Sequence, residues 1–313
     1  MIKIYPSVKK IGISLFRLGI IAFAAIMLMR APEMSQTVSA ALDTCIKKVL
    51  PALFPYMVVS SLIISSGIAD RLGKKASAPF ARLFALPGQA CAVLLIGLLA
   101  GFPVGAKSAC ELYRSGSCTR EQAQRLCAFC NNTGPAFIIG GIGVGFFGDM
   151  RTGVILYIIE CISVIIMGLL LSLGKDRSRK VSACASKFTP DFSGAVTGAA
   201  ISCVYVCAFV VFFAVIIKTV GEICRGSLAF LLPAINATLE VTAGTQAAAQ
   251  IGGAPGFVLA AFAVGFGGVC VAAQSAPFMS EAGLKMAPYI KSKLAQGMIC
   301  ALLAAGWSVV NRL

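Results

Sequence analysis

The sequence has no histidine, a single tryptophan and few charged residues. Only 12% of its 313 residues are Asp, Glu, Lys or Arg, and 58% are hydrophobic, whereas soluble domains carry about 25% charged residues. Without histidine, the commonest metal ligand and general base is missing, and no nucleophile–base pair stands out. The composition therefore predicts a polytopic membrane protein, and we expect no enzyme activity, no metal and no cofactor.

Acidic residues are scarce as well. The chain has 12 acidic and 27 basic residues, which gives a formal net charge of +15. The basic residues lie in the loops, as is usual beside a cytoplasmic membrane face, and no basic run carries the interleaved aromatics typical of single-stranded nucleic-acid binding. We expect a lipid bilayer as partner and no nucleic acid. The 13 cysteines are scattered through apolar runs, where they act as small hydrophobes.

Apolar windows approach the roughly 20 residues that cross a bilayer. The first is interpreted as a retained helix and not a signal peptide, because Arg17 interrupts it and no small-x-small cleavage site follows. The windows are 11–29, 49–68, 127–148, 153–173, 195–220, 257–273 and 295–310.

Two basic loops, at 71–82 and 175–187, are both expected at the cytoplasmic face. Three apolar stretches separate them, so one must enter the membrane and return on the same side. We predict that 90–106 is this re-entrant segment, because Gly101, Pro103 and Gly105 suit the tip of such a turn.

The second half resembles the first. Residues 208–221 resemble 53–67, and 264–271, followed by Gln274, resemble 100–107 with Lys107. One unit begins outside and the other inside, which predicts an all-α membrane protein of inverted-topology repeats with broken or re-entrant helices. Lys285, Lys291 and Lys293 would then fall outside, against the charge rule. The expected domains are a first helix with an amphipathic connector (1–48), a first repeat (49–173), a basic cytoplasmic loop (174–193) and a second repeat (194–313).

The string Cys-Asn-Asn-Thr-Gly-Pro at 130–135 interrupts an apolar stretch. Gly-Pro disfavours continuous helix, and a half-helix that begins near Pro135 would point its positive end into the protein. Polar side chains stand where backbone groups are freed, which predicts a substrate site at Asn131, Asn132, Thr133 and Gly134. The alternative, that the asparagines only cap the helix and pair with a neighbour, stays open.

Charged residues at membrane depth give the other candidates, since each costs about 3 kcal/mol to insert. Glu240, with Thr242 beside it, is a second substrate-binding candidate, unless the segment is a surface helix at the interface. Lys107 either faces a substrate carboxylate or pairs with Glu111 at i+4. Gln274 is expected at the position that matches Lys107. Glu160 is a candidate for pairing with a lysine or carrying a coupling proton.

A run of glycines at 141–148 contains the pattern G-x-G-x-x-G. No strand precedes it, so a dinucleotide site is not indicated. Gly141 and Gly145, four residues apart, instead predict close helix packing.

Several strings resemble one known family. They are P-A-L-F-P (51–55), G-F-P-V-G-A-K (101–107), T-R-E-Q-A (119–123), F-C-N-N-T-G-P-A-F-I-I-G (129–140) and G-V-G-F-F-G (143–148). Together they resemble the sporulation integral membrane proteins of the YlbJ type, in the nucleoside-recognition or gate-domain superfamily. The resemblance is densest over 51–173, so the two predicted repeats are interpreted as gate-type repeats.

The resemblance implies a fold similar to concentrative nucleoside transporters, with paired helical hairpins. It also implies a role in endospore formation, in the bacterial cell membrane or a forespore membrane. Members of this type are associated with moving dipicolinic acid, so we expect a transporter of a small dipicolinate-like anion. A nucleoside-type solute transporter stays open as an alternative. So does a non-transporting assembly or signalling component of the spore envelope, with further copies or other spore membrane proteins as partners.

Overall fold

The computed structural model describes residues 6–66, 71, 75, 77–175, 191–224 and 229–311, and all regular structure in these ranges is helical. This confirms the all-α fold class. The helices are α1 Pro6–Met29, α2 Ala31–Thr44, α3 Leu50–Ser65, α4 Ser77–Phe84, α5 Gln89–Ala100, α6 Val104–Arg114, α7 Arg120–Cys130, α8 Ala136–Phe147 (wound as a π-helix), α9 Met150–Ser172, α10 Phe192–Ile223, α11 Leu232–Leu239, α12 Val241–Ile251, α13 Gly253–Phe266, α14 Gly268–Glu281 and α15 Met286–Asn311.

The N-terminal part bends sharply after the first helix. Arg17–Met29 and Ala31–Val49 meet at 93°, so α2 and the π-helical turn Cys45–Val49 run across the direction of α1. α2 packs against α10, and Arg30 pairs with Glu222 at 2.6 Å. The predicted connector is therefore a helix that lies against the rest of the protein.

Four apolar stretches of the described chain are long enough to cross a membrane, namely α9, α10, α13 with α14, and α15. The number rises to six if each of two bent helix pairs is one span. α5 is too short, because 12 residues extend only about 18 Å at 1.5 Å per residue. It turns at Gly101–Pro103 and α6 packs back against it. A re-entrant hairpin thus occupies the segment 90–106, as predicted.

Both halves of the chain repeat one order of elements. Each half has a helix, a packed hairpin, a span broken in its middle and a long unbroken span, in that order. In the first half these are α3, α5–α6, α7–α8 and α9, and in the second half they are α10, α11–α12, α13–α14 and α15. The first hairpin starts beside α7, because Arg125 donates to the carbonyl oxygens of Phe84 and Ala85 just before α5. On the same face, Gln124 exchanges hydrogen bonds of 2.9 and 2.7 Å with Lys285. The second hairpin leads into α13, whose start lies beside the far end of α15. The halves therefore have inverted topology, and the boundaries 49–173 and 194–313 stay a prediction.

This order corrects two matches between the halves. The turn at Gly101 corresponds in order to the α11–α12 junction at Glu240, and the break at 131–134 corresponds to Gly267. Residues 264–271 were expected to match 100–107, and Gln274 to match Lys107; both matches are wrong. Gly101 and Gly267 have φ of +77° and +76°, so similar glycine strings arise because each kind of break needs a left-handed residue.

The side of the membrane expected for Lys293 is also corrected. Because α13 and α14 cross together instead of turning back, the loop before α15 returns to the face that carries the α6–α7 loop. Lys285 lies in that loop, and Lys293 lies within α15 with only 1% of its surface exposed. The basic cytoplasmic loop predicted at 174–193 falls largely on 176–190, outside the described residues.

Glycines bring α8 and α9 close together, although different ones from those expected. A Cβ atom on Gly143 would lie 2.6 Å from the Cα atom of Gly153. Neither predicted glycine makes such a contact with α9, since Gly141 faces the ring of Phe137 in its own helix and Gly145 faces the backbone of Gly140. The described cysteines are free thiols.

Candidate functional site

A small, partly open cavity lies where the two hairpins and the two broken spans meet. One wall is polar or aromatic and comes from the breaks. The opposite wall is apolar and comes from the Cys45–Val49 turn, α3 and α10. The lining residues are Val49, Leu53, Gly101, Phe102, Thr133, Gly134, Phe137, Val206, Val210, Glu240, Val241, Thr242, Val271 and Gln274.

The polar wall is built from the N-terminal ends of four half-helices. Its residues lie just before α6, around the start of α8, at the start of α12 and in the first two turns of α14. A helix N-terminus carries about half a positive charge and directs free N–H groups outward. The starts of α8 and α14 therefore favour a negatively charged occupant, whereas Glu240 already caps the start of α12 and Asn131 accepts from an N–H group of α6.

Glu240 is the acidic group on this wall, and it caps α12. Its Oε1 atom accepts a hydrogen bond of 2.8 Å from the Thr242 N–H, and its Oε2 atom accepts one of 2.7 Å from the Ala243 N–H. Only 3% of the residue is exposed. Its charge is thus balanced in part by the helix end that it caps.

Five of the residues predicted to bind substrate line the cavity. The Thr133 hydroxyl donates to the Val264 carbonyl at 3.0 Å, which fixes the break against α13. Gln274 donates to the Cys270 sulfur at 3.3 Å. The five are Thr133, Gly134, Glu240, Thr242 and Gln274.

Asn131 lies behind the wall and holds the break together. Its Nδ2 group donates to Ser275 Oγ at 2.9 Å and to the Tyr289 hydroxyl at 2.7 Å, while its Oδ1 atom accepts from the Ala106 N–H at 3.2 Å. One amide thus joins the first hairpin, the first broken span, α14 and α15. These contacts agree with the alternative in which the asparagine pairs with neighbours.

Asn132 belongs to a buried chain of polar side chains. Its Oδ1 atom accepts from Gln296 Nε2 at 3.0 Å and from Lys293 Nζ at 3.4 Å. Lys293 also donates to Gln296 Oε1 at 2.9 Å, and Gln296 Nε2 lies 3.4 Å from Glu160 Oε1. This row of hydrogen-bonded side chains therefore links the break at 131–134 to the midpoint of α9.

Sequence reasoning missed Lys293 because it assigned this lysine to the outer side of the membrane, and it missed Gln296 because that residue lies within an apolar window. A signal was nevertheless present. Tyr289, Lys293, Gln296 and Cys300 follow one another at spacings of four, three and four, which places them on one face of a helix. All four are buried.

Lys107 lies outside the cavity. Its side chain is 53% exposed, and its Nζ atom lies 3.9 Å from Glu111 Oε1, the ion pair that the sequence left open as the alternative. The cation nearer the cavity is Lys293, whose Nζ atom lies 5.7 Å from the ring centre of Phe102.

Comparison with known proteins adds the family context. Residues 46–150 match the Gate family model, which is described as nucleoside recognition. The match runs from the turn before α3 through the first hairpin and the first broken span. This part of the chain is similar to a gate domain. No solved structure matches the chain.

A curated relative matches most of the chain. It is the sporulation integral membrane protein YlbJ of Bacillus subtilis (strain 168), 24% identical over 296 residues that cover 81% of this chain and 72% of YlbJ. Together with the apolar spans, this similarity confirms the predicted multi-pass integral membrane protein and the resemblance to YlbJ.

Proposed function

We propose that the protein is a membrane transporter of a small, planar, dipicolinate-like anion during endospore formation, and that the cavity binds this solute. The observation that carries the proposal is the convergence of four helix N-termini on one wall. A helix N-terminus can bind a carboxylate even where no lysine or arginine side chain lies at the site. The similarity to YlbJ supports the link to sporulation.

Each part of the polar wall has a role in this proposal. Thr242 and Gln274 offer a hydroxyl and an amide donor to carboxylate oxygens. Phe102 and Phe137 offer ring surfaces against which a planar solute can stack. Asn131 and Asn132 act from behind, by holding the break in shape.

A nucleoside-type solute is the second candidate. Glu240 favours it, because a carboxylate on the wall accepts hydrogen bonds from hydroxyl or amine groups and repels an anion. The description of the matching family model favours it too. Glu240→Gln separates the candidates, because this change removes the negative charge and keeps an oxygen that can cap α12.

The test is counterflow in proteoliposomes with labelled dipicolinate and labelled uridine. We expect saturable dipicolinate exchange that Gln274→Ala and Thr242→Val each weaken by about tenfold, the equivalent of one good hydrogen bond. Glu240→Gln is expected to keep or increase dipicolinate exchange. Lys107→Gln, outside the cavity, is the matched control and is expected to exchange normally.

Other outcomes would contradict the anion proposal. Exchange of uridine that Glu240→Gln abolishes would establish the nucleoside reading. Exchange of neither solute, nor of a wider panel of small anions, by folded protein would favour a non-transporting component of the spore envelope.

A further inference from the structure

A carboxyl group and an amine lie buried behind the cavity without direct contact. Glu160 on α9 has no exposed surface, and Lys293 on α15 has 1%. Gln296 stands between them, with its amide oxygen 2.9 Å from the amine and its amide nitrogen 3.4 Å from the carboxyl oxygen. Ionisable side chains at this depth are costly and usually serve a function.

The surroundings of this pair hold few other titratable groups. The Cys300 thiol donates to Glu160 Oε2 at 3.3 Å. The Cys130 thiol donates to the Gly105 carbonyl at 3.3 Å and lies within electrostatic range of Lys293. Tyr157 and Cys161 lie within electrostatic range of Glu160. The remaining partners in the described part of the chain are neutral, namely Asn132, Ser163 and Gln296. Glu160 supplies the carboxyl group of this cluster and Lys293 supplies its amine.

Two residues of the cavity wall separate the pair from the cavity. The ring of Phe102 covers Lys293 Nζ at 5.7 Å, and the Thr133 backbone lies beside the Glu160 carboxyl group. Both Phe102 and Thr133 line the cavity. A charge in the cavity is consequently one side chain away from the pair, in surroundings where screening by water is weak.

We propose that Glu160 and Lys293 form a proton-binding pair, and that each anion entering the cavity is accompanied by one proton taken up by Glu160. The proposal rests on the proposed function, because the anion supplies the charge to be balanced. With an ammonium and a carboxylate the pair is neutral, so an added anion leaves the site with excess negative charge. One proton from water forms an O–H bond on Glu160, and the Lys293 ammonium then faces the anion. The same O–H bond breaks when the anion leaves.

The experiment uses proteoliposomes with the membrane potential clamped at zero by potassium and valinomycin. With an acidic exterior, one proton per dipicolinate supports about tenfold accumulation for each pH unit of gradient. We expect Glu160→Gln to keep counterflow without a gradient and to lose this accumulation, and Glu160→Asp to restore it. Cys300→Ala removes a contact to the same carboxyl group without removing the proton site, so accumulation is expected to persist.

A second measurement needs no variant. Adding dipicolinate to the purified protein in weakly buffered detergent solution should draw protons from the medium. Binding or exchange without proton uptake would overturn this inference and leave the transporter intact, as would pH-driven accumulation by Glu160→Gln. If wild-type protein neither binds nor exchanges any anion, the proposed function and this inference both fail.

Discussion

Gly97 and Gly105 allow the first hairpin to meet the first broken span. A Cβ atom on either would lie well inside contact distance of the carbonyl oxygen of Cys130. This carbonyl ends α7, just before the break, so the two glycines set how closely the hairpin tip approaches Gly134. Replacing either glycine by alanine would therefore change the shape of the cavity wall.

We expect Gly105→Ala to lower the free energy of unfolding by about 1–3 kcal/mol, because backbone must shift to admit the methyl group. Gly140→Ala is the control, since a Cβ atom there meets nothing within 4 Å and alanine favours helix. Denaturant unfolding in detergent measures both. Equal stability of the two variants would show that the hairpin can move away without cost.

Asp149 at the start of α9 predicts a pH-dependent contribution to stability. The pKa of its carboxyl group is lowered, mainly by the hydrogen bond from the Thr152 hydroxyl at 2.7 Å and then by the N–H groups of Thr152 and Arg151. A lowered pKa means that the cap stabilises the fold above the ordinary carboxyl pKa and loses this effect as the pH falls through the lowered value. Asp149→Ala should therefore lower the melting temperature at neutral pH, and the difference from wild type should shrink on acidification. A difference that does not change with pH would contradict the assignment.

Among the helices, Arg125 ties three elements together. From α7, its guanidinium donates to the carbonyl oxygens of Phe84 and Leu171 at 3.2 Å each and to that of Ala85 at 2.7 Å. These carbonyls lie at the ends of α4 and α9. One fork of donors thus satisfies backbone groups that the helix ends leave unpaired.

Arg125→Lys keeps the charge and loses the fork, so we expect a loss of about 1–3 kcal/mol from carbonyls left without donors. Arg151→Lys, on the exposed start of α9, should change stability little. Thermal unfolding of the two variants beside the wild type checks this. A stable Arg125→Lys protein would show that water or a neighbour replaces the guanidinium.

The breaks in the helices could be predicted from the sequence, whereas their partners could not. Gly-Pro at 134–135 and the glycines around Pro103 act through their own backbone geometry, which any context preserves. Asn131, in contrast, binds Ser275 and Tyr289, more than 140 residues away, and Lys107 turned outward to Glu111. The partner of each side chain depends on tertiary packing. Sequence patterns alone therefore located the breaks that line the site, but they did not identify Lys293 as the cation nearer the cavity.

For the whole molecule, the two halves are joined at one face. Arg114 pairs with Glu281, and Arg120 donates to the carbonyl of Gly283. Lys175 pairs with Glu121 nearby at 2.7 Å. Basic residues gather on this face, which the positive-inside rule assigns to the cytoplasm.

This topology predicts that the turns at Gly116 and Gly148 lie on opposite sides of the membrane. Both glycines have positive φ, and a Cβ atom on either meets nothing within 4 Å, so they are matched sites for a protease-cleavage sequence. Cleavage at 116 is expected only in inside-out vesicles and cleavage at 148 only in right-side-out vesicles. Cleavage of both from one side would contradict the inverted arrangement.

The apolar wall of the cavity has a consequence for movement. Val49, Leu53, Val206 and Val210 face the breaks across the cavity, and they make only non-directional contacts with whatever lies between. A solute held by the polar wall can therefore slide past these side chains without breaking a hydrogen bond. The polar wall holds a solute by directional hydrogen bonds, whereas the apolar wall makes only non-directional contacts with it. The two walls can therefore shift against each other while the solute stays bound to the polar wall.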